Sequence, residues 1–589
     1  MIKQHSLIFI STTLLLSACA QEQAENENMQ QEELVVKEQK QKVKANQPIQ
    51  QHEVELQLTV MDENKKNYNR VSPMKMMRKE HSQAGLSTLH IAPIQPIYPD
   101  IAVDNENYKQ IDANPTFQVN QQPVSTFSID VDTASYANVR RLLNQGSLPQ
   151  QSSVRVEELI NYFTYDYGQP SFDNEQSFSI YSEVGPSPYN IDKQLIHIGI
   201  QGKGIDQDKR PSSNLVFLID VSGSMNSANK IGLLKNALKM LTKQLNQQDK
   251  VAIVVYAGAV GTVLEPTAGD NNQAIIDALS RLTAGGSTNG GAGIEAAYAL
   301  ARKSFIKDGI NRVILATDGD FNVGTTNQQV LKELIVKQRK SGVALSILGF
   351  GAGNYNDALM QELAQNGDGN AYYLDTLNEA RKVLVEELSS TLMIIAKDVK
   401  IQVEFNPELV SEYRLIGYET RALKRQDFNN DKVDAGDIGA GHTVTAIYEI
   451  SLVGGKNQSL DPLRYGSTKN DGKSNSNFGE LAYLRLRYKK PDEDKSILIE
   501  QPIKVADLKN RIKDTSDNFK FSAAVAGFGQ LLTGGENLST MTISQVIDLA
   551  QQGKGDDQHG YRGEFINMVK LADALTPKKI DDNNSIAKQ

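Results

Sequence analysis

The chain has 589 residues, 39% of them hydrophobic and 23% charged, with one cysteine and no tryptophan. That length holds two to four domains with cores of their own, and a single cysteine excludes an internal disulfide. A formal net charge of −9 and a pI near 5.5 argue against nonspecific nucleic-acid binding, so no nucleic-acid partner is expected.

At the amino terminus, Lys3 precedes an apolar run over 7–16 and then Leu16-Ser-Ala-Cys19. The run is too short to span a bilayer and fits the apolar region of a secretory signal. Small residues before a cysteine resemble the lipobox of bacterial lipoproteins. That resemblance implies a signal peptide over 1–18, cleavage before Cys19, and acylation of its thiol and new amino group, palmitate included. The product would be anchored to the membrane of a bacterial cell envelope by lipid alone. Ala20 after the cysteine implies the outer membrane, on its periplasmic or surface face, if the cell is Gram-negative. An ordinary signal followed by a chance cysteine is the competing reading. Residues 19–120 then shift to Gln, Glu, Asn and Lys, the composition of a disordered tether.

Order is expected from Val124. A strand at 127–131 leads into a helix carrying Tyr136, Val139, Leu142 and Leu143, which Gly146 ends; a second helix carries Val156, Leu159, Ile160 and Phe163. Together they form a helical segment over 121–175. Asp130 and Asp132 read as turn and N-cap residues before the first helix rather than as metal ligands. Strands follow at 177–184 and 195–200, in a region (176–205) that either precedes the next domain or belongs to a β-rich one. Over 212–395, strands at 215–220, 251–257, 312–317, 343–349 and 371–374 alternate with helices, with an edge strand at 261–264. This alternation predicts a doubly wound, Rossmann-like, mainly parallel sheet. Residues 377–397 read as its last helix. Period-two alternation then marks an antiparallel β-rich domain over 396–510, which flanks the α/β domain or receives it as an insertion. Helices close the chain over 511–578, so the fold class is α/β with a β-rich domain and small helical parts at both ends.

The chemistry concentrates after Leu215-Val-Phe-Leu-Ile219, where five apolar residues predict a strand buried on both faces. Asp220, Ser222 and Ser224 follow at its carboxyl end, where open α/β sheets bind ligands. Oxygen-only donors suit a hard cation such as Mg2+. With Thr288 in Gly285-Gly-Ser-Thr-Asn-Gly290 and Asp318 in Ala316-Thr-Asp-Gly319, they resemble the metal-ion-dependent adhesion site of von Willebrand factor type A (VWA) domains. The wider chain resembles a bacterial VWA lipoprotein family, with a characteristic segment before the domain (here 123–131) and a carboxyl-terminal domain of unknown function.

The resemblance implies that Ser222, Ser224 and Thr288 bind Mg2+ (or Mn2+ or Ca2+) through their hydroxyls. Asp220 and Asp318 would act mainly through bound waters. Hydroxyls add no negative charge, so the metal stays electrophilic and a carboxylate of a protein partner can complete its shell. The implied function is partner binding, without catalysis. An assembly or scaffold lipoprotein working through the β-domain is the alternative, and a metal-assisted hydrolase is a third. No His-Glu-x-x-His or Gly-x-Ser-x-Gly supports the last. The cluster Asp220, Ser222 and Ser224 could otherwise be a helix N-cap group. Asp427, Asn429 and Asp431 resemble the start of a calcium loop, with Asp434 and Asp437 close behind. Lys432 and Ile438 stand where the calcium-loop pattern needs Gly and Glu, so a solvated turn is expected there.

Overall fold

The computed structural model describes residues 106–577, apart from 171–175, 206–209, 287–289, 320–327, 354, 388–391, 456–457, 461–478, 492 and 540. The signal region, Cys19 and the tether up to residue 105 lie outside the described residues.

Two antiparallel sheets form a sandwich. Its strands come from both sides of the α/β domain: β1 (Phe117–Gln118), β2 (Val124–Ser128), β3 (Phe178–Pro186) and β4 (Gln194–Gly202) before it. The α/β strands are β5 (Ser213–Asp220), β6 (Lys250–Tyr256), β7 (Val260–Ala268), β8 (Ile310–Thr317), β9 (Ala344–Phe350) and β10 (Ala371–Leu374). After it come β11 (Ile394–Phe405), β12 (Val410–Ile416), β13 (Gly436–Gly439), β14 (Thr443–Leu452), β15 (Glu480–Lys489) and β16 (Ser496–Lys504). One sandwich sheet runs β1-β12-β14-β4-β3; the other runs β11-β15-β16, with β2 and β13 sharing the free edge of β11. Each sheet therefore mixes early and late strands, and the α/β domain is an insertion between β4 and β11.

Period two explains the packing. Ile196, Ile198 and Ile200 of β4 face the sandwich core with Val444, Ala446, Leu484 and Leu486. Leu195 and Ile447 face the other way, into a layer of helices. That layer unites Ala134–Asn144 and Val156–Asn161 with Asp517–Leu532, Ile543–Gln552 and Tyr561–Leu575 in one core. The helical parts at the two chain ends thus cover one face of one sheet. Among the described residues, no helix is long and apolar enough to cross a membrane.

The inserted sheet has the order β10-β9-β8-β5-β6-β7, parallel except for the antiparallel edge β7. Successive residues of β5 serve opposite cores: Val216 and Leu218 meet the helix Gly290–Lys303, while Leu215, Phe217 and Ile219 meet Leu233–Thr242. That two-sided burial is why the strand reads as an unbroken apolar run. From β5 the chain winds first to β6 and later to β8 on the other side. The strand order therefore reverses between β5 and β8, where such sheets open a binding crevice beyond the strand ends.

Three expectations are corrected. The tether does not run to residue 120: Phe117–Gln118 pairs with β12 and Val119 is buried. Residues 377–397 are not one helix: Leu377–Arg381 runs into a π-turn over Lys382–Glu386, and β11 begins at Ile394. Ile394 and Ala396 pair with β13, and this pairing outweighs the helical spacing of the leucines before it. Nor do Asp130 and Asp132 cap the first helix, whose N-cap is Thr133 with no side-chain bond. Asp130 does accept the Asp132 N–H in a local turn, but both carboxylates are committed to Arg421, at 2.9 and 3.1 Å.

Candidate metal centre

β5 and β8 end side by side at the reversal point, which brings Asp220 and Asp318 to one crevice. Asp220 is fully buried; its Oδ1 accepts the Ser222 N–H at 2.8 Å, folding the chain into a tight 3-10 turn over Gly223–Met225. Its Oδ2 accepts from the Tyr256 hydroxyl at 3.3 Å and the Thr317 hydroxyl at 3.4 Å. Burial is the chief force raising the Asp220 pKa, the Ser222 bonds oppose it, and the nearby Asp318 charge adds to it. A carboxylate so placed is stabilised by any cation that enters the crevice.

The same turn brings the Ser222 and Ser224 hydroxyls to 2.9 Å of each other. Adjacent oxygens on an Mg2+ octahedron lie about 2.8–3.0 Å apart, from metal–oxygen distances of about 2.0–2.1 Å. The pair therefore has the spacing of one octahedral edge, which a hydrogen bond between hydroxyls can also maintain. The loop before the helix Gly290–Lys303 is stitched to this turn: Gly223 N–H donates to the Gly286 carbonyl at 3.0 Å and Gly285 N–H to the Val221 carbonyl at 2.7 Å. Thr288 itself lies outside the described residues. Asp318, 1% exposed, accepts from the Lys230 ammonium at 2.9 Å. Among the described residues, no set of three or more His, Cys, Asp or Glu side chains is placed to hold a metal. A cation in this crevice would depend on a mixed set of hydroxyls and carboxylates, which is the hard-oxygen chemistry of Mg2+.

Lys230, Tyr256 and Thr317 were not singled out from the sequence. Thr317 sits inside the Ala316-Thr-Asp-Gly319 motif and could have been flagged. Nothing in the spacing points to Lys230.

The other sequence candidates are engaged elsewhere. Asp427 Oδ2 accepts the Lys424 N–H, Asp431 pairs with Arg487, Asp434 with Arg339, and Asp437 Oδ1 accepts the Asp398 N–H. They are not one solvated turn: Asp427 and Asn429 lie in a 3-10 helix over Arg425–Asn429, and Asp437 lies in β13. Of the histidines, His197 is sealed between the Tyr167 hydroxyl at 2.9 Å and the Ser522 hydroxyl at 3.0 Å. Burial pushes its pKa down to about 3, so it stays neutral and structural. His559 lies beside Glu386 near the carboxyl-terminal helix.

Comparison with known proteins matches three regions. Residues 214–387 match the family described as von Willebrand factor type A domain, 102–197 one described as von Willebrand factor, and 390–575 the carboxyl-terminal region of the uncharacterized protein YfbK. YfbK of Escherichia coli is 48% identical over 477 residues, which cover 80% of this chain and 81% of that protein. Mouse inter alpha-trypsin inhibitor, heavy chain 4, is 30% identical over 167 residues, 27% of this chain and 17% of its own. A solved von Willebrand factor type A protein from Catenulispora acidiphila aligns with a TM-score of 0.37 at 15% identity, over 66% of this chain and 89% of that one. The identity that runs through four-fifths of both chains, together with the shared carboxyl-terminal region, places this chain in the YfbK family of von Willebrand factor type A domain proteins.

Proposed function

We propose that this protein is a non-catalytic, lipid-anchored component of the bacterial cell envelope that captures a protein partner through a divalent cation in its VWA domain. The observation that carries the reading is the meeting of Asp220, Ser222, Ser224 and Asp318 at the reversal point of the sheet. Ser222 and Ser224 would hold the cation directly, joined by Thr288 as the family pattern implies, with Asp220 and Asp318 in support. When bound, Mg2+ or Mn2+ supplies an electrophilic position for an acidic side chain of the partner. The hydroxyls add no charge of their own, which favours that last ligand.

Anchoring rests on Leu16-Ser-Ala-Cys19. An acyl chain on Cys19 would leave the VWA domain outside the bilayer at the end of a long polar tether.

Thermal melts of the purified chain with Mg2+ or Mn2+ against EDTA test the site. A cation that binds only the folded state at a hundred times its Kd adds about 2.7 kcal/mol. We expect a metal-dependent rise in Tm that Ser222→Ala and Asp318→Ala abolish; no rise in the parent chain would sink the reading. For the anchor, metabolic labelling with an alkyne-tagged palmitate should mark the parent chain and miss Cys19→Ser. Equal labelling of both would refute it.

A further inference from the structure

Lys230 lies on the widened π-turn Ala228–Gly232 that opens the helix Leu233–Thr242. Its side chain does not run out into solvent. It crosses the end of β9 above Gly351 and places its ammonium 2.9 Å from Asp318 Oδ2. The lysine side chain is 12% exposed and that of Asp318 is fully buried.

The path of the stem is built into the backbone. A β-carbon on Gly351 would fall 2.1 Å from Lys230 Cε and 2.9 Å from both Cδ and Cγ. Gly351 also has φ +80°, a conformation that glycine accepts at no steric cost. A residue without a side chain thus leaves the slot that the lysine fills.

We propose that Lys230 is a resident cation of the metal centre, which holds the Asp318 carboxylate in the apo protein and competes with the incoming metal for it. The inference rests on the metal reading of the site. Asp220 and Asp318 bring two carboxylates to the crevice, and one ammonium offsets part of their charge. A divalent ion must overcome both the ion pair and the positive charge beside it. Lysine suits such a role because its ammonium is a point charge on a flexible stem, without the bidentate grip of arginine. The lysine thereby sets the metal concentration at which the site fills.

The test is titration of the full chain with Mn2+, followed by calorimetry and by loss of the free-ion electron-spin signal, for the parent, Lys230→Met, Lys230→Gln, Lys230→Arg and Asp318→Ala. We expect Lys230→Met and Lys230→Gln to bind Mn2+ on the order of tenfold more tightly. That is the scale of removing one unit charge from a few ångströms of a divalent ion in a water-like dielectric. Lys230→Arg, which keeps the charge and adds a bidentate grip, should bind no more tightly than the parent, and Asp318→Ala should bind poorly. In EDTA the Met and Gln variants should melt below the parent, and Mn2+ should close the gap. Lys230→Gln, the shorter and polar replacement, carries the test if the methionine variant does not fold. Equal or weaker Mn2+ binding by these variants, with the parent still binding, overturns the role of Lys230 alone. Absence of Mn2+ binding in every chain overturns the metal reading and this inference together.

Discussion

Two groups of buried carboxylates in this molecule are treated in opposite ways. At the seam between the inserted domain and the helical layer, Arg140 is 1% exposed and is saturated by acids. It grips Asp375 with two nitrogens at 2.5 and 2.8 Å, and donates to Glu379 at 2.7 Å, Glu564 at 2.9 Å and the Tyr162 hydroxyl at 2.9 Å. Arg155 in turn holds Asp357 at 2.8 Å and is paired with Glu158. These guanidinium groups come from the amino-terminal helical segment, and they tie the inserted domain to it. At the candidate metal centre the carboxylates meet hydroxyls and Lys230. The seam is a finished network whose cation cannot leave; the crevice offers ligands that can change partners. Permanent charge in planar, bidentate geometry serves assembly, and exchangeable charge serves binding.

The sharpest way to break this contrast is at the seam. Arg140→Met should cost about 3–5 kcal/mol of unfolding free energy, because Asp375 and Glu379 would stay buried without their cation. Urea unfolding checks it, and a loss under 1 kcal/mol would show that the seam does not hold the domains. Second, Asp318→Ala should remove the whole metal-dependent gain, about 2.7 kcal/mol at a hundredfold excess over Kd, measured as the difference between melts in Mg2+ and EDTA.

A third effect is electrostatic and lies where the helix Val156–Asn161 packs on the loop after β12, at Gly417. Burial, and then the charges of Glu419, Asp130 and Glu158, push the Glu157 carboxyl from an ordinary 4.5 up to about 8. Between those values the folded chain holds a proton that the unfolded chain has lost. The contribution is therefore fully present below about pH 4.5 and drains away as the pH climbs toward 8, at about 1.4 kcal/mol per unit. Urea midpoints at pH 5.5 and 7.5 should show a fall in the parent that Glu157→Gln flattens. The smallest effect is expected at the turn beside β15. Asp431→Ala breaks an exposed pair with Arg487 and should cost under about 1 kcal/mol, with the same result in Ca2+ or EDTA.

What could be read from sequence follows the reach of each interaction. Asp220, Ser222 and Ser224 share one turn, so their spacing alone announces a site. The run 215–219 announces a strand covered on both faces, and the helices on either side of β5 bear that out. The period-two pattern of β4 and β14 was equally plain, yet their adjacency was not. Ile198 faces Ala446 across the inserted domain, and no local pattern encodes that register. Lys230 and Asp318 are 88 residues apart and meet only after the sheet has formed. At 377–397 the local pattern misled, because Ile394 answers to a distant strand and not to its neighbours.

The insertion leaves and re-enters the sandwich at one place. Gly441 N–H donates to the Lys203 carbonyl at 3.0 Å, and Ala440 N–H donates to the Met393 carbonyl at 2.8 Å, so adjacent residues of a single turn hold both crossings. In mechanical terms the VWA domain hangs from two covalent cables fastened to the same bracket. A pull on the crevice beyond β5 and β8 divides between the two crossings and is braced by the Arg140 seam, where a domain strung on one linker would carry the whole load on a single thread.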